Sequence, residues 1–505
     1  MKIKYLALEG RQTLHRLRNT SDLAEIAEIL EEMLKRPFTI HALWEYRKWF
    51  YMLTQEELRK YPVLSVGYSQ IHVMAGELKR ARKMVEALPE DSYYHLLTTL
   101  VMPGIEKEER QEAFQKIKEH GYAPIPNLTL TAGRPSVLNG LWDFTPYMDV
   151  IVQDKETVLS QLQSIFGEQA HGIYDIALAE CLYYQNKCYE ALVIVVSIIP
   201  FLADKQDMRL LFVALTLEIF ILTQNGQIPS TVPMMQNLRT HIKDVGVEEY
   251  LPNIDALDAW CAMYDGDYIR LAKWMKEGSP DEYGKFCMLD TFRYMIKLRT
   301  YIIQGKYLAV TALATRLLPL LEEGKRYMDC CELHMIWAMS DFADKRKKEA
   351  FGHLKAALEL SEAYHYDRLI ADEGKRMCDL LKAYRTEETQ SAYLDRIIEL
   401  AESSSALYPR YLKNQLPEKP ELSKTELRIL RLLQDSYTNA QISAELDIAL
   451  ETAKKHCKNI CKKLEVRNRH QAVQRAVEFG IIEQTNKGAI PNIKEKRNNL
   501  ISCLK

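Results

Sequence analysis

A turn element that returns every 39 or 40 residues constrains this chain more than any other feature of its sequence. It consists of a glycine or a substitute, a polar residue, an aromatic or aliphatic one, and then a small or apolar residue. The clearest copies are Gly76-Glu-Leu-Lys-Arg-Ala81, Asn186-Lys-Cys-Tyr-Glu-Ala191, Gly266-Asp-Tyr-Ile-Arg-Leu271 and Gly305-Lys-Tyr-Leu-Ala-Val310, with Lys345 to Ala350 as a weaker one. With Gly226 included, successive copies begin at 186, 226, 266, 305 and 345. That period suits a pair of helices. The small residue lets one helix end in a left-handed cap, and the later alanine lets the next pack closely against it. Between copies apolar residues recur at helical spacing, as in Leu178, Cys181, Leu182 and Leu192, and sustained alternation is hard to find. The expected fold class is therefore all-α: an N-terminal helical region over 1–150, a helical-repeat solenoid over 151–402, and a separate small helical domain at the C-terminus.

The repeat resembles the tetratricopeptide superfamily in a lengthened form, although no copy carries the full consensus. Stacked pairs make a curved solenoid whose concave face is expected to hold a small-molecule or peptide effector, or a partner protein. Most of the 28 tyrosines are expected between helices with their hydroxyls at the surface, so the effector-binding residues stay unassigned. The most apolar stretches, Ala191 to Ala203 and Leu210 to Leu222, fall short of the roughly 20 residues a membrane helix needs. Pro200 and Glu218 interrupt them, and they read as buried helices rather than spans. Ten cysteines without a CxxC pair, and a start that lacks the apolar core of a signal peptide, predict free thiols and a cytoplasmic location with no membrane partner. No metal site, cofactor or enzyme constellation is expected, and isolated residues such as His171 and His334 read as structural or surface groups.

Ser403 to Ser405, and then Lys413 to Glu421 with Pro417 and Pro420, break the helical pattern and read as a linker over 403–421. A domain over 422–485 and a flexible basic tail over 486–505 follow. Ser423 and Glu426 form a capping box for a first helix running to about Leu433, and Thr438 or Asn439 caps a second. A turn at Asp447 to Ala449 leads to a third helix from about Leu450, which completes a helix-turn-helix. On that third helix Ala453, Cys457, Ile460, Cys461 and Leu464 share one face, and Lys454, Lys455, Lys458 and Lys462 lie largely on the other. Like charges one turn apart each cost a helix about 0.2–0.5 kcal/mol, so Lys454, Lys458 and Lys462 suit a solvated face poorly unless an anion compensates them. DNA phosphates and base edges would do so.

The run from Leu422 to Ile482 resembles the LuxR-type helix-turn-helix family. It matches at Leu-Ser-x-x-Glu426, Thr438-Asn439, Ile442, Leu446, Thr452-x-Lys454-x-His456, Asn459-Ile460, Lys463-Leu464, Val466, Arg469, Ala472-Val473 and Gly480-Ile481. It departs at Thr425 for arginine, Ser436 for glycine, Ala449 for a capping serine and Ala453 for valine; the lost cap costs about 1 kcal/mol. The resemblance implies DNA contacts from Lys454, Lys455 and Lys458, with Lys462 further along the stripe, Thr452 nearer the backbone, and His456 packed rather than reading bases. It also implies RNA polymerase as a partner and a homodimer through a fourth helix, Arg469 to Glu478, capped by Asn468. Cys457 and Cys461, one turn apart, read as core residues rather than a metal or redox switch.

A repeat region before such a module resembles the MalT-type large regulators, in which an ATPase domain precedes an inducer-binding repeat. The segment Leu130-Thr-Ala-Gly-Arg-Pro-Ser-Val-Leu-Asn-Gly140 and Trp142-Asp-Phe144 resembles one between those parts in Gram-positive relatives. No GxxxxGK[ST] is present, so no ATP requirement is expected. The expected function is sequence-specific transcription regulation, as an activator, with effector sensing by the repeats; the alternative is a repeat scaffold anchored to DNA.

Overall fold

The repeated turns do adopt the left-handed backbone that their sequence calls for. Gly76 (φ 72°), Gly226 (80°), Gly266 (71°) and Gly305 (67°) do so with glycine, and Asn186 (63°) and Lys345 (63°) do so without it. Lys325 (φ 50°) makes one further such turn, which the 40-residue spacing does not mark. The small residue downstream serves close packing: Ala81, Ala191 and Ala350 are fully buried.

The computed structural model describes residues 10–482 except 11, 36–39, 91, 122–133, 141, 206–207, 388–390, 414–421, 465, 467 and 479–480. The basic tail read over 486–505 lies outside the described residues. Two compact units are present, 1–414 and 415–505.

In the first unit, shorter helices between Leu23 and His120 precede six helix pairs. Pair one is Ala170–Tyr184 with Cys188–Lys205; pair two Met208–Gln224 with Ile228–Val245; pair three Leu251–Asp265 with Tyr268–Glu277. Pair four is Thr291–Ile303 with Tyr307–Glu323; pair five Tyr327–Ala343 with Lys347–Tyr364; pair six Gly374–Glu387 with Ala392–Leu407. The first helices of pairs one to five are largely enclosed, and in Thr291–Ile303 every residue but Arg293 is buried, whereas Gly374–Glu387 of pair six exposes Lys375, Asp379, Lys382 and Arg385. The second helices bury one stripe. Cys188–Lys205 is a correction to its expected burial, since Tyr189, Val193, Val196 and Phe201 stand exposed on it. His334 does take a structural place: its Nδ1 faces His353 Nδ1 at 3.0 Å, and the His353 ring stacks on Trp337.

Neither sequence-drawn boundary of this unit survives. Residue 150 falls inside the helix Met148–Gln153, and the serines read as the start of a linker continue the last helix to Leu407. Ser403 Oγ donates back to the Glu399 carbonyl, and Ser404 is buried on Asp372. The chain then runs over the turns of earlier pairs. Tyr408 donates to the Thr223 carbonyl, Tyr268 donates to that of Arg410 at 2.7 Å, and Tyr411 stacks on Tyr264 with centroids 4.0 Å apart. Gly374 (φ 65°) permits this approach, because a Cβ there would lie 2.9 Å from the Tyr411 ring.

A second irregular segment, residues 134–147 apart from 141, lies mostly buried against the first helices of pairs one and five. Glu180 of pair one accepts from Ser136 Oγ and from the Val137 and Leu138 amides at 2.8 and 3.3 Å. Asp329 of pair five accepts from Asn139 Nδ2 at 2.8 Å, and Arg326 donates to the Gly140 carbonyl at 2.6 Å. Burial outweighs these donors and Arg134 and pushes the Glu180 carboxyl up to about 7. A raised carboxyl binds its proton more tightly when folded, so its stabilising contribution is full below its ordinary value of 4.5 and is lost as pH rises through about 7. Glu180→Gln carries no such proton. The stability advantage of the natural chain over this variant should therefore shrink by about 2–3 kcal/mol between pH 5 and 7.5 in urea unfolding; a constant gap would refute it.

Candidate nucleic-acid interface

Local capping builds the second unit. Ser423 and Glu426 cap the helix Lys424–Gln434 reciprocally, and Thr438 and Gln441 do the same for Asn439–Glu445. Ser436 (φ 66°) and Asp447 (φ 50°) turn the chain out of these two helices without glycine. Ser443 Oγ donates to the Ile448 carbonyl and fixes the turn ahead of the third helix, Leu450–Lys463. Ala449 is its N-cap and supplies no side-chain bond, as its sequence implies. Asn468 Oδ1 accepts from the Gln471 amide at 2.9 Å and opens the fourth helix, Arg469–Glu478.

Ile429, Leu430, Leu433, Ile442, Ala453, Ile460, Leu464, Ala472 and Ala476 make a core separate from that of the repeats, and Cys457 and Cys461 pack half-buried against it. Lys463 ties the third helix to the first through Glu426 at 2.7 Å. Burial would raise the Glu426 carboxyl, but the Lys463 ammonium and the Ser423 groups hold it below the ordinary carboxylate range. The third helix is thus clamped on its inner face by apolar packing and by one buried carboxylate.

Its outer face is free of such ties. Lys454, Lys455, Lys458 and Lys462 are all exposed. At about 100° per residue they fall within a roughly 100° arc opposite Ala453, Ile460 and Leu464. Thr452 is exposed about 60° outside that arc, beside the lysines rather than among them. Lys455, Lys458 and Lys462 make no ion pair among the described residues, whereas Lys454 pairs with Glu451 at 2.7 Å. His456 is half-buried with its Nδ1 enclosed, in a packing position. Sequence reasoning missed Glu451. It stands inside the lysine arc, where a carboxylate can accept from a cytosine amino group, and its spacing of three from Lys454 was the signal. Chemically this surface is a short cationic ridge on a helix held rigidly from behind, of a width that enters a major groove.

Comparison with known proteins agrees with this geometry. A family model described as bacterial regulatory proteins, luxR family, matches residues 420–476. The transcriptional regulator MalT of Klebsiella pneumoniae is 26% identical over 251 residues, which cover 45% of this chain and 27% of that protein. MalT of Cronobacter sakazakii is 44% identical over 66 residues, 12% of this chain and 7% of that protein, and MalT of Yersinia pestis is 42% identical over the same length and shares. The chain thus matches about a quarter or less of the length of these relatives. Among the described residues no helix is long and apolar enough to cross a membrane. Residues 420–476 of this chain are therefore a domain of the kind described as bacterial regulatory proteins, luxR family, and the chain is similar over part of its length to the transcriptional regulator MalT.

Proposed function

We propose that the chain is a sequence-specific DNA-binding transcription regulator, an activator that works with RNA polymerase, whose repeat unit senses an effector. Lys454, Lys455 and Lys458 reach base edges, Lys462 and Thr452 meet the flanking phosphates, and the fourth helix, Arg469–Glu478, joins two copies on paired half-sites. The observation that carries this reading is the rigid helix with a cationic face and, among the described residues, no ion pair on three of its four lysines. Such a face is a cost to the domain unless phosphate compensates it. A genome-wide map of sites bound by the full chain tests the proposal: enriched sites sharing one sequence element near promoters are expected, and uniform binding would refute it. The exposed Tyr189, Val193, Val196 and Phe201 favour a second reading, in which the repeats hold another protein and the C-terminal domain anchors the complex.

A further inference from the structure

Residues 134–140 lie on the repeat helices as a bound peptide would. Their backbone is satisfied partly by side chains of those helices, with Glu180 taking two successive amides and Arg326 giving to the Gly140 carbonyl, and partly by local turns, in which the Ser136 amide donates to the Arg134 carbonyl and the Leu138 carbonyl accepts from the Phe144 amide at 2.7 Å. Grooves that recognise extended peptides use this division of labour, with main-chain bonds for affinity and side-chain contacts for choice. Here the choosing group is Arg134, 6% exposed, which forms an ion pair with Glu332 and lies 3.8 Å from Asp329. The helices themselves contribute Asp329, Glu332 and Glu373 against Arg299 and Arg326. Without Arg134 the groove, Glu180 included, holds an excess of carboxylate in a place that excludes water, and either a proton or an incoming cation has to neutralise it. The segment is also an imperfect occupant, because Asn139 Oδ1 is buried with no hydrogen-bond partner among the described residues.

We propose that this groove is the recognition site of the repeat unit for a peptide bearing an arginine at the position of Arg134 followed by a turn, and that residues 134–140 occupy it as a built-in competitor. The inference deepens the effector-sensing reading and rests on it. The same ionic chain gives the site an output. Glu373, on the far side of Arg299, accepts from the Tyr411 hydroxyl at 3.0 Å. Tyr411 belongs to the last stretch of the repeat unit before the chain continues into the DNA-binding domain. A ligand that takes over Glu332 acts on the charges that hold Tyr411.

The test uses the full chain and the labelled heptapeptide Arg-Pro-Ser-Val-Leu-Asn-Gly, its own sequence over 134–140. In Arg134→Ala the amides of Val137 and Leu138 should exchange with deuterium at least about tenfold faster while those of pair four keep their rates. The heptapeptide should bind this variant saturably, and the natural chain at least about tenfold more weakly. A heptapeptide with alanine in place of arginine should bind neither. Unchanged exchange at Val137 and Leu138 would make the segment a fixed part of the fold and overturn the proposal, as would release of the segment without heptapeptide binding. If Arg134→Ala fails to fold, Asn139→Ala, which keeps every charge, is judged by the same two outcomes. Both readouts concern the repeat unit alone, so a failure of operator binding, measured in parallel, leaves them standing.

Discussion

Replacing Lys454 and Lys458 together by alanine should weaken operator binding by about 2–6 kcal/mol, at least thirtyfold, with the circular dichroism spectrum unchanged. Both side chains leave the third helix on the face opposite its core, so their loss removes contacts without opening a cavity. The two should differ in kind. Lys454 must leave Glu451 to reach DNA, and a base-reading role would relax preference at one operator position. A lysine that meets phosphate alone would weaken all sequences alike and reduce the salt slope by about 1. Unchanged affinity of the double variant at fixed salt would remove the third helix as the reader.

Arg299→Ala should destabilise the repeat unit by about 3–5 kcal/mol in urea unfolding. The guanidinium is buried between Glu332 and Glu373, and its loss takes the ion-pair partner from the buried Glu373 and leaves Glu332 with Arg134 alone. Arg239→Ala removes a pair with the half-exposed Asp255 and provides the contrast, with a cost below about 1 kcal/mol. Equal costs for the two variants would show that the central charges are not held as a unit.

What could be read from the sequence was local. The capping boxes at Ser423 and Thr438, the cap at Asn468 and the alternation of lysine and apolar residues on the third helix depend on neighbours within one or two turns. The turn glycines of the repeat are equally local, and all take the backbone expected of them. Errors arose where a distant partner decides. Ser403 to Ser405 have the composition of a linker, yet they sit in a helix because Leu394, Ile397, Ile398 and Ala401 earlier in that helix bury its stripe and Ser404 reaches Asp372. Residues 134–147 fall within the region read as helical over 1–150 and are irregular instead, since nothing near them in sequence announces Asp329, 190 residues beyond Asn139. Lys325 turns left-handed without glycine and off the repeat period, for which its own sequence gives no reason.

The bond from Asn139 to Asp329 joins pair five back to the stretch before pair one, and Tyr183 of pair one donates to Asp372 across 189 residues. A repeat array whose members meet only their neighbours can nucleate anywhere, grow by one unit at a time and lose an end without losing the rest. These pairs have given up that freedom. Their mutual grip requires most of the array to be in place before the closing contacts form, which moves loop-closure entropy to the front of folding and slows it. The same closure makes opening a collective event, so that the unit passes between few states instead of fraying from its ends.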